Sequence, residues 1–411
     1  MIPYGDFTYF FITLLLMLPV IILGLIGKRS LIYNRFITIV MLVLIFSDDN
    51  KNIFDNKYLS YQLIFFTLYV IYQVLLIKSY INITKKVNEF KVFAFMVFLS
   101  ILPLMLVKVL QSSWLGEYQI TIHGNKVIEF IGFLGISYIT FKTVQLIMEI
   151  RDKRIKSIEV LKLIDFITFF PTISSGPIDR YKRFIKDENK IPSGEEYYNQ
   201  LIKAIHLVFM GFLYKYIIAF YINELVLKTI PIETDHTFLN YLFYMYGYSF
   251  YLFFDFAGYS LFAIAFSYMF GIQTPVNFNK PFQSKNIKDF WNRWHMSLSF
   301  WFRDCVYMRF VFFVSKKKLI KDKLLISNLG FLLNFAIMGV WHGIEINYIL
   351  YGLYHAMLFI GYGYYEQWRK KHPPKFNNKV TNFIAILITF HSVAFGFLLF
   401  SGKLKNKKKG S

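Results

Sequence analysis

The residues able to do chemistry in this chain are few, and most stand at breaks in long apolar runs. His342 ends one such run, in Gly339-Val-Trp-His-Gly343. An imidazole can take a proton near neutral pH, and the flanking glycines let a substrate or a second backbone come close. The same pattern serves equally a histidine that only bonds a carbonyl inside a membrane. A second histidine, His295, stands in the densest polar stretch, Asn292-Arg-Trp-His-Met-Ser-Leu-Ser299, followed by Trp301, Arg303 and Asp304. Asn292 or Arg293 could donate to an oxyanion. Trp291, Trp294 and Trp301 serve as well as aromatic anchors of an amphipathic segment at the membrane surface. A third feature, Pro171-Thr-Ile-Ser-Ser175-Gly-Pro177 with Asp179 and Arg180, breaks a helix and leaves hydroxyls and backbone groups open. Such backbone either lines a cavity or forms a turn at the interface. Asp255 and Tyr259 are polar residues inside another apolar run, and serve either function or the tying of helices.

The other candidates carry less. His206 and His391 lie in apolar segments without polar companions in sequence, His355 on the span after His342, and His123, His236 and His372 in loops. No His-x-x-x-His or His/Glu pair has zinc-ligand spacing, so no metal site is expected. The single cysteine, Cys305, excludes a disulfide scaffold, and as a nucleophile it lacks an adjacent activating base.

The elements that must position these groups are membrane spans. Of 411 residues, 56% are hydrophobic and 17% charged, with 48 Phe and 30 Tyr. Soluble proteins carry about 25% charged residues, so a soluble enzyme, a disordered tail and a fibrous repeat are excluded. Phe7–Gly27 has no charge and no basic segment before it, which marks a span rather than a signal peptide. Further apolar runs begin near Leu31, Tyr58, Val92, Val127, Leu201, Phe238, Leu324, Tyr348 and Val380. Phe238–Gly271 is too long for one straight span and reads as two helices or one broken helix. Ile158–Ile173 and Cys305–Val314 are too short to cross and read as re-entrant or interfacial pieces. The expectation is an all-α polytopic bundle of about ten or eleven crossings, forming a single integral membrane domain over 1–411.

The net charge is +21, from 46 Lys+Arg against 25 Asp+Glu. Lys28 and Arg29, then Lys78, Lys85, Lys86 and Lys91, then Arg151, Lys153, Arg154 and Lys156 alternate with an acidic loop at Asp48, Asp49 and Asp55. This places the N-terminus outside and the basic loops at 180–190, 280–303 and 316–323 in the cytoplasm, facing anionic lipid. Nucleic-acid binding is not expected, because no soluble domain displays the charge.

Together, Gly135-Ile-Ser-Tyr-Ile-Thr-Phe141, Ser175-Gly-Pro-Ile-Asp-Arg180, Phe254-Asp-Phe-Ala-Gly-Tyr-Ser260, the Asn292–Ser299 run with Trp301, Arg303 and Asp304, and Gly339-Val-Trp-His-Gly343 resemble the membrane-bound O-acyltransferase superfamily. The resemblance is close over roughly 130–360, the expected catalytic core. It is nearest to the branch that passes D-alanine to teichoic acids of Gram-positive bacteria; the alginate O-acetylating branch is the alternative. It implies helices with short re-entrant pieces around a central channel in the cell membrane. It implies a carrier protein (DltC) bearing D-alanine as a thioester on 4'-phosphopantetheine, an outer partner (DltD), a teichoic acid acceptor and no bound cofactor. It also implies that His342 is catalytic and His295 the second essential polar residue. Asn292, Arg293, Trp341 and Ser175 are then candidates for holding substrate or oxyanion.

Two expectations concern access. From Leu324 to His342 a straight helix rises about 27 Å, which carries His342 towards the outer face. Short pieces that thin the protein would let a flexible pantetheine arm reach it. Met308, Val311 and Phe312 fall on one helical face beside Arg309 and Lys317. That face is either an interfacial helix beside a solvated charge run or the docking surface for an acidic carrier.

Overall fold

The computed structural model describes residues 1–47, 61–112, 121–122, 125–126, 132–372 and 379–404. His123 and the acidic loop at Asp48, Asp49 and Asp55 lie outside these residues. Among the described residues the regular structure is helical, apart from a two-residue antiparallel pairing of Thr121–Ile122 with Asn125–Lys126. Among the described residues, seven helices are long and apolar enough to cross a membrane: Phe7–Leu25 (α1), Tyr61–Thr84 (α3), Phe90–Leu110 (α4), Gly194–Leu227 (α8), Phe238–Met269 (α9), Lys323–His342 (α13) and Lys379–Ser401 (α15). The runs expected to cross near Leu31, Val127 and Tyr348 form Leu31–Phe46 (α2), Ile136–Arg151 (α5) and Ile346–Lys371 (α14), which are shorter or more polar.

Packing gathers the chain into two compact units, the first of residues 1–211 and 259–275, the second of residues 212–258 and 276–411. In the first, α5 is the central helix. Every residue in it except Ser137 and Arg151 is buried. Being enclosed by protein, α5 tolerates polar residues that would be costly against lipid. Its Thr140 bonds Tyr69 of α3 at 2.7 Å, and Thr143 bonds Ser100 of α4 at 3.0 Å, while Ser100 donates to Gln73 at 2.9 Å. The Lys142 ammonium is buried and donates to the Phe166 carbonyl at 2.9 Å. Phe166 belongs to Val160–Thr168 (α6), one of the short pieces expected from sequence. Arg35 of α2 grips Asp165 of α6 through two nitrogens, at 2.7–3.0 Å.

Arg29, between α1 and α2, joins distant parts of this unit. Its guanidinium donates to the carbonyls of Asp187 and Glu188 at the end of Tyr181–Asn189 (α7), at 2.8 and 2.7 Å. It also donates to the carbonyls of Phe270 and Gly271 beyond α9, at 3.1 and 3.4 Å. A cation at two helix C-termini meets the negative ends of both dipoles. The helix-breaking run at 171–177 is pinned by Tyr4, which donates to the Pro171 carbonyl at 3.0 Å, and by a Ser174–Tyr259 hydroxyl pair.

In the second unit, α8 runs through π-helical turns at Leu213–Ala219 and Asn223–Leu227. α9 is one unbroken helix of 32 residues, so the two-helix reading of this stretch is corrected. No proline interrupts it, and Asp255 needs no break to find a partner: Lys215 of α8 pairs with it at 2.5 Å. This polar spot ties two helices. Before α13 come Ile287–Trp291 (α10) and one continuous helical run made of Met296–Phe302 (α11), a π-helical turn at Arg303–Tyr307 and Met308–Lys316 (α12), so the reading of Cys305–Val314 as a separate short piece is corrected.

Candidate active site

His342 is the last residue of α13. The helix starts on Asp322, whose carboxylate accepts from the Leu324 N–H at 2.8 Å, and it stops where Gly343 donates to the Gly339 carbonyl at 3.3 Å. Twenty residues rise about 30 Å, so His342 stands a membrane's thickness from the lysines at 316–323. The glycines have the expected use. A Cβ on Gly339 would lie 2.6 Å from the Tyr348 carbonyl oxygen, and α14 meets α13 at Gly352 against this same point. α14 thereby brings Tyr348 and Tyr351 to His342, with ring centres 6.1 and 6.0 Å away. Phe400 of α15 stands edge-on at 4.9 Å and Trp341 lies at 4.4 Å. The imidazole is half-buried within this aromatic ring.

His295 is buried, outside the candidate spans, in a left-handed conformation at φ +40° and ψ +54°. A residue with a side chain pays about 1–2 kcal/mol there, so its surroundings must hold it. Asn277 does so. Its carbonyl accepts from the Met296 N–H at 2.8 Å, and its side-chain oxygen accepts from Ser297 Oγ at 2.6 Å and Ser297 N–H at 3.4 Å. Asn279 N–H donates to the Arg293 carbonyl at 2.9 Å, so the 277–279 backbone is stitched to the segment carrying His295. The imidazole meets the Phe256 edge at 4.7 Å. Burial and, second, the neighbouring His342 hold its pKa far down, at about 3, so the ring is neutral. Among the described residues its Nε2 has no hydrogen-bond partner.

The tryptophans of this stretch are core residues. Trp291, Trp294 and Trp301 are all buried, so the reading as membrane-surface anchors is corrected. They have partners inside the protein: Trp294 packs on Phe397 at 4.8 Å, and the Trp291 indole donates to His355 Nδ1 at 3.3 Å. His391, which lacked polar companions in sequence, bonds the Tyr246 hydroxyl at 2.6 Å.

The remaining candidates are placed as follows. Arg293 pairs with Asp289 one helical turn earlier, at 2.7 Å, and Asn292 is exposed at the end of α10. Trp341 is part of the ring around His342. Ser175 lies in the first unit, within the pinned run, and both histidines lie in the second. Cys305 is buried in the π-helical turn. On α12, Met308 and Phe312 are exposed, Lys316 reaches over the Phe312 ring at 5.8 Å, and Lys317 is exposed. Val311 faces inward, against the Gly330 position of α13. Asn277 and His355 were given no role from sequence. Asn277 gives no signal in sequence, because its partner Ser297 is twenty positions away.

Residues 51–400 match the membrane-bound O-acyltransferase family. The chain is 52% identical to the teichoic acid D-alanyltransferase of Bacillus subtilis (strain 168) over 403 residues, 98% of each chain. It is 42% identical to the protein of that name from Lacticaseibacillus rhamnosus, covering 98% of this chain and 97% of the relative. With the Streptococcus thermophilus protein of the same name it shares 38% identity, over 98% and 96%.

Proposed function

The chain belongs to the membrane-bound O-acyltransferase family, and from that premise we propose that it transfers D-alanine from a carrier-protein thioester to a hydroxyl on the route to teichoic acid. The acceptor oxygen attacks the thioester carbonyl carbon while His342 takes the hydroxyl proton. The carbon–oxygen bond forms, the carbonyl electrons move onto oxygen, and they return as the carbon–sulfur bond breaks. The departing thiolate takes the proton back from the imidazolium. The products are a D-alanyl ester and the free carrier thiol. A thioester is already activated, so no covalent enzyme intermediate is required.

The observation that carries this reading is the pair of histidines. One is half-exposed at the end of a long helix inside an aromatic ring; the other is buried, neutral and held in a strained backbone. The rings exclude water, which protects the thioester from hydrolysis. His295 supports the site as a neutral polar group beside His342. The carrier (DltC) docks on α12 from the cytoplasm, with the exposed Met308 and Phe312 as its apolar contacts and Arg309, Lys316 and Lys317 steering an acidic partner. The pantetheine arm enters from that side. DltD takes over beyond the membrane.

The test is reconstitution of the full chain in vesicles with carrier loaded either with D-alanine or with acetate. D-alanyl release that needs the carrier and is abolished by His342→Ala, with membrane insertion intact, is expected. Turnover of acetyl carrier alone would move the reading to the polysaccharide O-acetylating branch. Near-normal transfer by the purified His342→Ala protein would remove His342 from the mechanism.

A further inference from the structure

The stitch that holds His295 leaves a second polar atom unused. Asn277 is 1% exposed, and its oxygen is fully engaged by Ser297. A backbone N–H can only donate, so the Ser297 N–H fixes the amide with its oxygen towards Ser297 and its nitrogen on the opposite side. That nitrogen, Nδ2, is buried and has no acceptor among the described residues. Buried amide donors are almost always paired, and an orphan calls for a reason. His295 Nε2, on the segment stitched to the same asparagine, is buried and unpartnered as well. Two unused nitrogens thus stand on one stitched stretch of backbone, and His295 on that stretch feels the charge of His342, so a carbonyl oxygen gaining negative charge there would find a donor.

We infer that Asn277 is a further catalytic residue, whose Nδ2–H donates to the thioester carbonyl oxygen as that oxygen becomes an oxyanion. The inference rests on the acyl-transfer reading above and adds the donor that reading lacks. The sequence candidates are less suited: Arg293 is committed to Asp289, and Asn292 is exposed. Asn277 is held from two sides before substrate arrives, so it need not reorganise when charge develops. A preorganised donor of this kind contributes about 10²–10³-fold to turnover. No proton moves in this step; the amide only shares its hydrogen while the carbonyl electrons reside on oxygen.

The test compares the parent, Asn277→Ala and Ser297→Ala in vesicles with D-alanyl carrier and a hydroxyl acceptor. Asn277→Ala should lose about 10²–10³-fold in kcat, with KM for the carrier within about twofold. Ser297→Ala loosens the stitch but keeps the donor, so its loss should be at least tenfold smaller. Equal losses would make Asn277 a mere support for His295, and turnover of Asn277→Ala within about threefold of the parent would exclude it altogether; either result overturns the inference. Should Asn277→Ala fail to fold, the parent alone decides. With acceptor omitted, the infrared stretch of a ¹³C-labelled thioester carbonyl should fall on binding, and an unshifted band overturns the inference. A parent that turns over no loaded carrier refutes the acyl-transfer reading itself, and this inference with it, before any variant is made.

Discussion

Gly339→Ala tests whether the α13–α14 crossing sets the reach of His342. The added Cβ would meet the Tyr348 carbonyl oxygen at 2.6 Å and the Gly352 Cα at 3.4 Å. The nearer obstacle is backbone, so a side-chain rotation cannot relieve it. Restoring ordinary contact requires a parting of about 0.8 Å, the difference between about 3.4 and 2.6 Å. The stability effect is small, because alanine gains about 1 kcal/mol over glycine in a helix while overpacking costs about 1–3 kcal/mol. Function should suffer more. His342 follows three residues later, and Tyr348 and Tyr351, which face it, lie on the helix that must move. A misplacement of about 1 Å at a reacting group costs about 10²-fold. The expected result is a roughly hundredfold lower kcat for carrier deacylation, an unchanged KM for the carrier, and an unfolding temperature in detergent within a few degrees of the parent. If Gly339→Ala turns over within about threefold of the parent while remaining folded, the crossing does not position the imidazole and the argument fails.

Phe312→Asp places a charge on the exposed face of α12 and should weaken carrier binding at least tenfold in a titration, whereas Lys317→Gln should mainly flatten its salt dependence. Binding of Phe312→Asp at parental affinity would move the docking face elsewhere. Glu188, outside the spans, has its pKa raised to about 7 by burial and then by Asp165, against Arg35, Lys162 and Arg29, which lower it. The folded state therefore holds a proton that the unfolded chain loses near its ordinary value of 4.5, and stability falls as pH rises from there to about 7. Glu188→Gln should abolish that decline, giving a flatter unfolding temperature between pH 5 and 8; an unchanged slope would contradict the assignment. Trp291→Phe removes the indole donor to His355 Nδ1 and should cost about 1–2 kcal/mol in detergent unfolding. A cost below about 0.3 kcal/mol would show that this bond holds nothing.

Much of the candidate site's layout was legible because it rests on single residues in lipid-length contexts. His342 stood out as an imidazole at the end of an apolar run, and its glycines signalled a close backbone, which α14 supplies. The short piece at 158–173 announced itself by length, whereas 305–314 was misjudged, because it lies inside one helical run from Met296 to Lys316 that a π-helical turn disguises. What could not be read was partnership across distance. Trp291 and Trp294 have the composition of surface anchors, and only His355 and Phe397, 64 and 103 positions on, make them core residues. Asp255 looked like a break in a helix because its partner Lys215 lies forty positions earlier. Counting spans by hydropathy met the same difficulty, since α5 is enclosed by protein and answers to no rule about lipid. The stitch from Asn277 to Ser297 has no sequence signal, because asparagine and serine are ordinary in any loop.

The first unit is discontinuous: residues 1–211 are completed only by residues 259–275. That has a consequence for synthesis. Arg29 enters the membrane surface among the first residues made, yet two of its four acceptors, the carbonyls of Phe270 and Gly271, are 241 and 242 positions further along. At about 5–20 residues per second, the guanidinium waits some tens of seconds for them. During that interval the helices of residues 1–211 are threaded through the bilayer without their closing piece, while the start of the second unit is inserted between. A chain arrested on the ribosome before residue 270 therefore leaves the junction around Arg29 half-built. Quality-control proteases would meet it there, and capture of Arg29 by the Phe270 and Gly271 carbonyls marks the moment the first unit closes.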